Sequence, residues 1–262
     1  MKIPVYHIDA FTGSVFSGNP AAVCPLESWL DDATLMLIAG ENSLPVTAFF
    51  VEAGDHYELR WFTPTVELPL CGHGTVAAGA VLFDCMKVAG EAITFTTKGG
   101  PVQVVKEDSR IRLDFPAYEA APCSPSPEAL VRALGGAPRE VLKAKYYLVV
   151  YESEAEIRGL APDFAMLKEV DSPGVIVTAP GESSDFVSRF FAPKIGIDED
   201  AATGSAHCTL VPYWSRRLGK SKLHALQLSQ RGGELWCEAL GDKVRIAGRA
   251  VRYAEGVLHV PV

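Results

Sequence analysis

Polar and apolar positions alternate with a period of two along most of this chain, in short runs punctuated by Gly, Pro and Asp. The alternation predicts strands over Pro4–Asp9, Pro20–Pro25, Ala48–Glu52, His56–Phe62, Ile93–Thr97, Val102–Val105 and Arg110–Phe115. A helical period interrupts it at Ser28–Asn42, which opens on Ser-x-x-Asp and spaces Leu30, Leu35, Leu37 and Ile38 for one buried face. The proline-rich stretch 115–127 predicts a crossover, with Pro127 or Glu128 opening a helix through Leu134. Gly174–Ala179 is apolar without alternation and predicts a buried strand. Two more segments, Val76–Phe83 and Ala206–Trp214, are apolar nearly all round. A helix with almost no charged face has to be covered on most sides, so each is expected to be wrapped by the strands of its own half.

Those two helices are parts of a duplication. Arg60-Trp61-Phe62-Thr63-Pro64 is answered by Arg189-Phe190-Phe191-Ala192-Pro193, and the turn Cys71-Gly72-His73-Gly74-Thr75 by Ala201-Ala202-Thr203-Gly204-Ser205. A third echo pairs Lys98-Gly99-Gly100 and Ile111-Arg112-Leu113 with Arg231-Gly232-Gly233 and Val244-Arg245-Ile246. The echoes hold nearly one offset, close to half the length of the chain, which predicts two copies of one structural unit. Each apolar helix opens on small residues, which let a ligand reach the backbone N–H groups left without partners at a helix start. Together with the positive end of the helix dipole, those groups suit a carboxylate or oxyanion. Two such mouths converging from two domains are expected to grip a small anionic substrate.

Composition narrows the partners. The chain has 262 residues, 48% apolar and 21% charged, enough to bury a core in each of two domains. Net charge is −8 with scattered basic residues, which argues against nucleic acid and anionic membrane. No segment approaches the roughly 20 apolar residues of a membrane span, and the N-terminus lacks the apolar stretch of a signal peptide. Six widely spaced cysteines without a C-x-x-C pair predict free thiols in a reducing cytoplasm, and neither disulfides nor a metal site.

The order Asp9-Ala10-Phe11-Thr12, Gly18-Asn19-Pro20, Trp61-Phe62-Thr63-Pro64, Leu70-Cys71-Gly72-His73-Gly74-Thr75, Ser188–Pro193 and Asp200–Cys208 resembles the phenazine biosynthesis PhzF-like family. The resemblance implies the diaminopimelate epimerase-like fold: an α+β chain of two similar pseudo-repeat domains, each a mixed β-sheet rolled around a central α-helix. The domains are expected at 1–117 and 118–250, with the strand near 251–262 returning to the first. It further implies an isomerase that transfers a proton on a small carboxylate-bearing substrate between the domains, without a cofactor, and a homodimer.

Candidate chemistry follows from residue types. His73 lies in the first glycine turn, where an imidazole exchanges protons near neutral pH. Asp200 stands before the matching turn, either orienting a substrate or belonging to a solvated acidic loop with Asp198 and Glu199. Ser205 either caps the second helix or binds a carboxylate. By resemblance, His73, Asp200 and Ser205 surround the substrate, and Gly72, Gly74 and Gly204 give backbone contacts. Thr75, Thr203 and Val46 complete the expected binding set.

One departure is chemical. The family's acid/base glutamate belongs in the segment Asn42–Thr47, and its place is taken here by Val46, which cannot carry a proton. Two readings besides an intact isomerase therefore stand: a binding protein that has lost the chemistry, and an epimerase working through Cys71. A cysteine at a helix N-terminus has a lowered pKa and can act as a base, or it can be a packing thiol. Aligning the halves puts Ala201 where a second cysteine would stand, which disfavours symmetric two-base racemisation. Glu41 and Glu67 are the nearby carboxylates that could substitute for the glutamate.

Overall fold

A computed structural model describes residues 1–260 and divides the chain into two compact units, 1–114 with the chain from 247 onward, and 115–246. The first unit contains β1 (Lys2–Ala10), β2 (Asn19–Leu26), α1 (Asp32–Asn42), β3 (Thr47–Ala53), β4 (His56–Phe62), β5 (Glu67–Leu68), α2 (Gly72–Ala80), β6 (Ala92–Thr97), β7 (Gly100–Glu107) and β8 (Arg110–Pro116, whose last residues enter the second unit). The second contains β9 (Ala121–Pro122), α3 (Glu128–Leu134), β10 (Glu140–Lys143), β11 (Tyr147–Val150), α4 (Glu154–Gly159), α5 (Phe164–Lys168), β12 (Val175–Pro180), β13 (Phe186–Ala192), β14 (Ile197–Glu199), α6 (Gly204–Leu218), β15 (Lys222–Gln227), β16 (Gly233–Leu240) and β17 (Lys243–Gly248, which runs on into the first unit). The C-terminal strand, Ala250–His259, lies antiparallel to β1 along its full length, with a bulge at His7/Ile8. Positions 261 and 262 of the expected returning strand lie outside the described residues.

The strand pairings repeat. In the first unit β1 is antiparallel to β2, β2 parallel to β3, β3 antiparallel to β4, β4 parallel to β6 and β6 antiparallel to β7, with the short β5 hung on β4. In the second, β10 to β11, β11 to β12, β12 to β13, β13 to β15 and β15 to β16 follow the same alternation, with β14 hung on β13. The fold is α+β, two pseudo-repeats of one mixed sheet. Inside the first, α2 touches β1, β2, β3, β7 and the C-terminal strand, and every residue from Gly74 to Ala80 is buried. Inside the second, α6 packs on β15 and β16 and buries ten residues. Both apolar helices are therefore central, as their missing polar face requires.

Two local expectations need correction. The first helix starts at Asp32, not Ser28, because Asp31 is its N-cap: the Asp31 carboxylate accepts the Thr34 N–H at 2.9 Å and the Thr34 hydroxyl at 2.8 Å. Its buried face is Leu35, Ile38 and Ala39, while Leu37 is 74% exposed. The first central helix also runs differently, beginning at Gly72 and passing at Val81–Cys85 into a π-helical turn.

Candidate functional site

Both central helices begin in the same way. Cys71 caps α2 and Thr203 caps α6 with extended backbone, and neither side chain bonds its own helix start. Helix phase thus pairs Cys71 with Thr203, Gly72 with Gly204, His73 with Ser205 and Thr75 with His207. This corrects the sequence alignment that set Cys71 against Ala201. It also removes the capping role from Ser205, which sits one residue inside the helix.

The fourth helical residue ties down the cap in each copy. Thr75 Oγ1 donates to the Cys71 carbonyl at 2.6 Å, and His207 Nδ1 donates to the Thr203 carbonyl at 2.9 Å. Since a carbonyl only accepts, Nδ1 carries the proton, and Nε2 is a buried lone pair without a donor among the described residues. Complete burial pushes the His207 pKa down to about 4. His207 is therefore neutral at physiological pH.

In the first mouth the Cys71 sulfur lies 3.5 Å from His73 Nδ1, so the two titratable candidates are in contact. The thiol is buried and the imidazole half-buried. Gly74 is glycine for a spatial reason: a β-carbon there would stand 2.7 Å from Trp61 Cδ1, 3.2 Å from Trp61 Nε1 and 3.3 Å from Cys71 Sγ. Thr75 is fully buried, its hydroxyl committed to the cap.

In the second mouth the Thr203 hydroxyl donates to the Asp200 carboxylate at 2.5 Å. Gln227, on β15 and 1% exposed, brackets that turn. Its Oε1 accepts the Thr203 N–H at 2.8 Å, and its Nε2 donates to the Asp200 carbonyl at 2.7 Å and to Thr203 Oγ1 at 3.1 Å. Asp200 is held by these bonds rather than floating in a solvated loop. Ser205 Oγ pairs with Tyr146 Oη at 3.2 Å, and the Tyr146 ring meets Phe190 edge-on at 5.0 Å.

The strand leading to each mouth is fastened by an equivalent clamp. Arg60 grips Glu67 through Nε and Nη2, both at 2.8 Å, and lies over Phe62. Arg189 grips Glu199 at 2.7 and 2.9 Å and lies over Phe191. Such bidentate pairs fix direction as well as distance. Hydrogen bonds from Arg60, and then from Lys98, hold the Glu67 carboxyl at a pKa of about 2. It stays ionised at neutral pH and cannot shuttle a proton there, so Glu67 is a structural carboxylate. Glu41 is exposed at the end of α1. Val46, just before β3, has no exposed surface, and its carbonyl accepts the Ala22 N–H at 3.0 Å.

Sequence reasoning missed Trp61, Gln227, Tyr146 and His207. Trp61, Gln227 and His207 stand at strand or helix positions that announce burial and Tyr146 in the bend before β11, but their roles arise from partners distant in the sequence or from a buried ring nitrogen. The Arg-x-aromatic word that recurs in both halves did carry a signal, for the arginine clamps.

A family model described as phenazine biosynthesis-like protein matches residues 8–256. An uncharacterized isomerase of Pseudomonas aeruginosa is 48% identical over 260 residues, covering 99% of this chain and 100% of that protein. The crystal structure of a PhzF-family phenazine biosynthesis protein from Enterococcus faecalis superposes with a TM-score of 0.97 at 45% identity, over 99% of this chain and 100% of that one. A predicted epimerase of P. aeruginosa, at 20% identity and a TM-score of 0.73, covering 99% of this chain and all of that one, shares the fold.

Proposed function

The chain belongs to the phenazine biosynthesis-like protein family, and from that premise we propose that it is a cofactor-independent isomerase moving a proton on a small carboxylate-bearing substrate. The observation carrying this reading is the matched pair of helix starts. Each joins backbone N–H groups suited to an anion with a proton-handling side chain held in place: His73 against Cys71 at 3.5 Å in one, Asp200 against Thr203 at 2.5 Å in the other. In this reading Gly72, Gly74, Gly204 and Ser205 bind the carboxylate, and His73 and Asp200 exchange the proton. Both mouths serve one activity.

A second reading draws on the Cys71–His73 contact. An imidazole within reach of a thiol at a helix start favours the thiolate, which makes Cys71 the base in place of the glutamate missing at Val46. With Thr203 at the matching cap, such an enzyme works with one thiol, not two.

The test is C–H exchange in deuterated water over a panel of small amino, hydroxy and unsaturated cyclic carboxylic acids. Exchange that falls by a factor of about 100 in both His73→Asn and Asp200→Asn supports the first reading, since a positioned acid or base contributes that much. Loss in Cys71→Ser with His73→Asn only partly impaired supports the second. No exchange by the wild-type chain with any acid that it binds overturns both, and leaves a small-molecule-binding protein.

A further inference from the structure

The first mouth contains a donor that nothing in the resting arrangement uses. Trp61 is 1% exposed, and its indole Nε1 has no hydrogen-bond partner among the described residues. A buried N–H left unmade costs about 1–3 kcal/mol, so native chains retain few of them. This one stands at the edge of the α2 mouth, 3.2 Å from the point that a Gly74 β-carbon would occupy, while Cys71 Sγ lies 3.3 Å from that same point. Glycine at 74 keeps the space between indole and sulfur free of a side chain.

The second repeat provides an internal comparison. Where the first has Cys71 at the cap and Trp61 in the preceding strand, the second has Thr203 and, at the place of Trp61 in the repeated word, Phe190. Phenylalanine fills similar space without an N–H. The donor therefore accompanies the thiol: the copy with a sulfur at its cap has the indole, and the copy with a hydroxyl does not. The Thr203 hydroxyl is instead engaged by Asp200 and Gln227.

We propose that Trp61 is a positioning residue whose indole N–H serves the Cys71 sulfur as a thiolate, acting with the His73 imidazole and the N-terminus of α2. The proposal rests on the second reading above, in which Cys71 handles the proton. In the resting arrangement the indole N–H is not bonded to the Cys71 sulfur, and a neutral thiol, a weak acceptor, offers little to draw the two together. An anionic sulfur gains a charge-assisted bond, roughly twice as strong as a neutral one. Trp61 thus biases the cap toward the form that can take a proton from an acidic C–H or attack a soft electrophile.

The test uses the full-length chain and needs no substrate. Cys71 alkylation by iodoacetamide, in which the thiolate displaces iodide, is followed from pH 5 to 10 by peptide mass spectrometry, so that the half-buried Cys85 and Cys123 are counted separately. In the wild type, Cys71 is expected to react with a pH midpoint well below that of an ordinary thiol. Trp61→Phe should slow the reaction about tenfold at pH 7, the effect of one charge-assisted hydrogen bond, and converge with wild type at high pH where every thiol ionises. Convergence separates lost thiolate from altered access. An ordinary profile in the wild type overturns the thiolate reading itself. A low midpoint that Trp61→Phe leaves in place overturns the role of Trp61 alone. If Trp61→Phe does not fold, the indole 15N–1H resonance of Trp61 in the wild type decides: it should move downfield with thiolate formation and stay fixed in Cys71→Ser, and a resonance that ignores pH in both overturns the proposal.

Discussion

Substituting alanine for glycine in a helix ordinarily stabilises, by up to about 1 kcal/mol. Gly40 and Gly74 lie in helices of the same unit, and the structure predicts opposite outcomes for them. At Gly40 in α1 the nearest atom to a new β-carbon is the Pro64 carbonyl oxygen at 3.9 Å, ordinary contact distance, so Gly40→Ala should gain about 0.5–1 kcal/mol. At Gly74 the new carbon would meet Trp61 Cδ1 at 2.7 Å, a distance real β-carbons do not show. Trp61 is 1% exposed and cannot swing aside, and the cap carbonyl of Cys71 is pinned by Thr75 at 2.6 Å. Overpacking of this kind costs about 1–3 kcal/mol, which outweighs the propensity gain. The net expectation for Gly74→Ala is a loss of about 1–2 kcal/mol, seen as a lower urea midpoint with an unchanged slope. A cycle with Trp61→Leu isolates the clash, because the penalty should largely vanish once the indole is gone. Gly74→Ala as stable as Gly40→Ala, or a penalty indifferent to Trp61→Leu, would refute the packing argument at this mouth.

Three other outcomes follow from the same geometry. His207 is held neutral with a pKa of about 4 against the usual 6.5, so stability is complete above pH 6.5 and falls between 6.5 and 4, where only the unfolded chain takes up the proton; the loss reaches about 3 kcal/mol at pH 4, and His207→Gln should flatten this part of a urea-midpoint-versus-pH curve. Glu67 behaves as a depressed carboxylate: its contribution is complete above about pH 4.5 and is lost as pH falls toward 2, so Glu67→Gln should cost stability at pH 7 and remove acid sensitivity in that lower window, read by the same curve. Removing the bracket by Gln227→Leu strands the buried Thr203 N–H, and is expected to cost about 1–3 kcal/mol, read as a lower urea midpoint.

What can be read from the sequence is whatever is written in period and repetition. Strands show because alternate positions face opposite sides of a sheet. The central helices show because Val76–Phe83 and Ala206–Trp214 have no polar face to give water. The duplication shows because the Arg-x-aromatic word and the small-residue turn recur at nearly one offset, and the recurrence has a physical cause, since each copy builds the same clamp and the same helix start. The first helix misleads for a local reason. Ser28-x-x-Asp has the form of a capping box, but its Asp31 is the cap itself, and the true start lies beyond it. Leu37 does not belong with the inward set either, because it follows Leu35 by two residues, more than half a helical turn, and so points to the opposite face.

The candidate sites are less legible, because what a mouth can do depends on contacts that no periodicity encodes. His73 and Cys71 are found by their position in a glycine turn, and they do touch. That Glu67 is held ionised by Arg60 cannot be read from composition, although the arginine belongs to the repeated word; a carboxylate near a turn looks the same on paper whether it is a base or a rivet. Phase is the other hidden quantity. Aligning words sets Cys71 against Ala201, while aligning hydrogen bonds sets it against Thr203, because the residue four places on, Thr75 or His207, returns a bond to the cap in both copies. With the caps so matched, the two helix starts differ in chemistry rather than merely in sequence: a thiol beside an imidazole and an indole in one, a hydroxyl beside a carboxylate and an amide in the other.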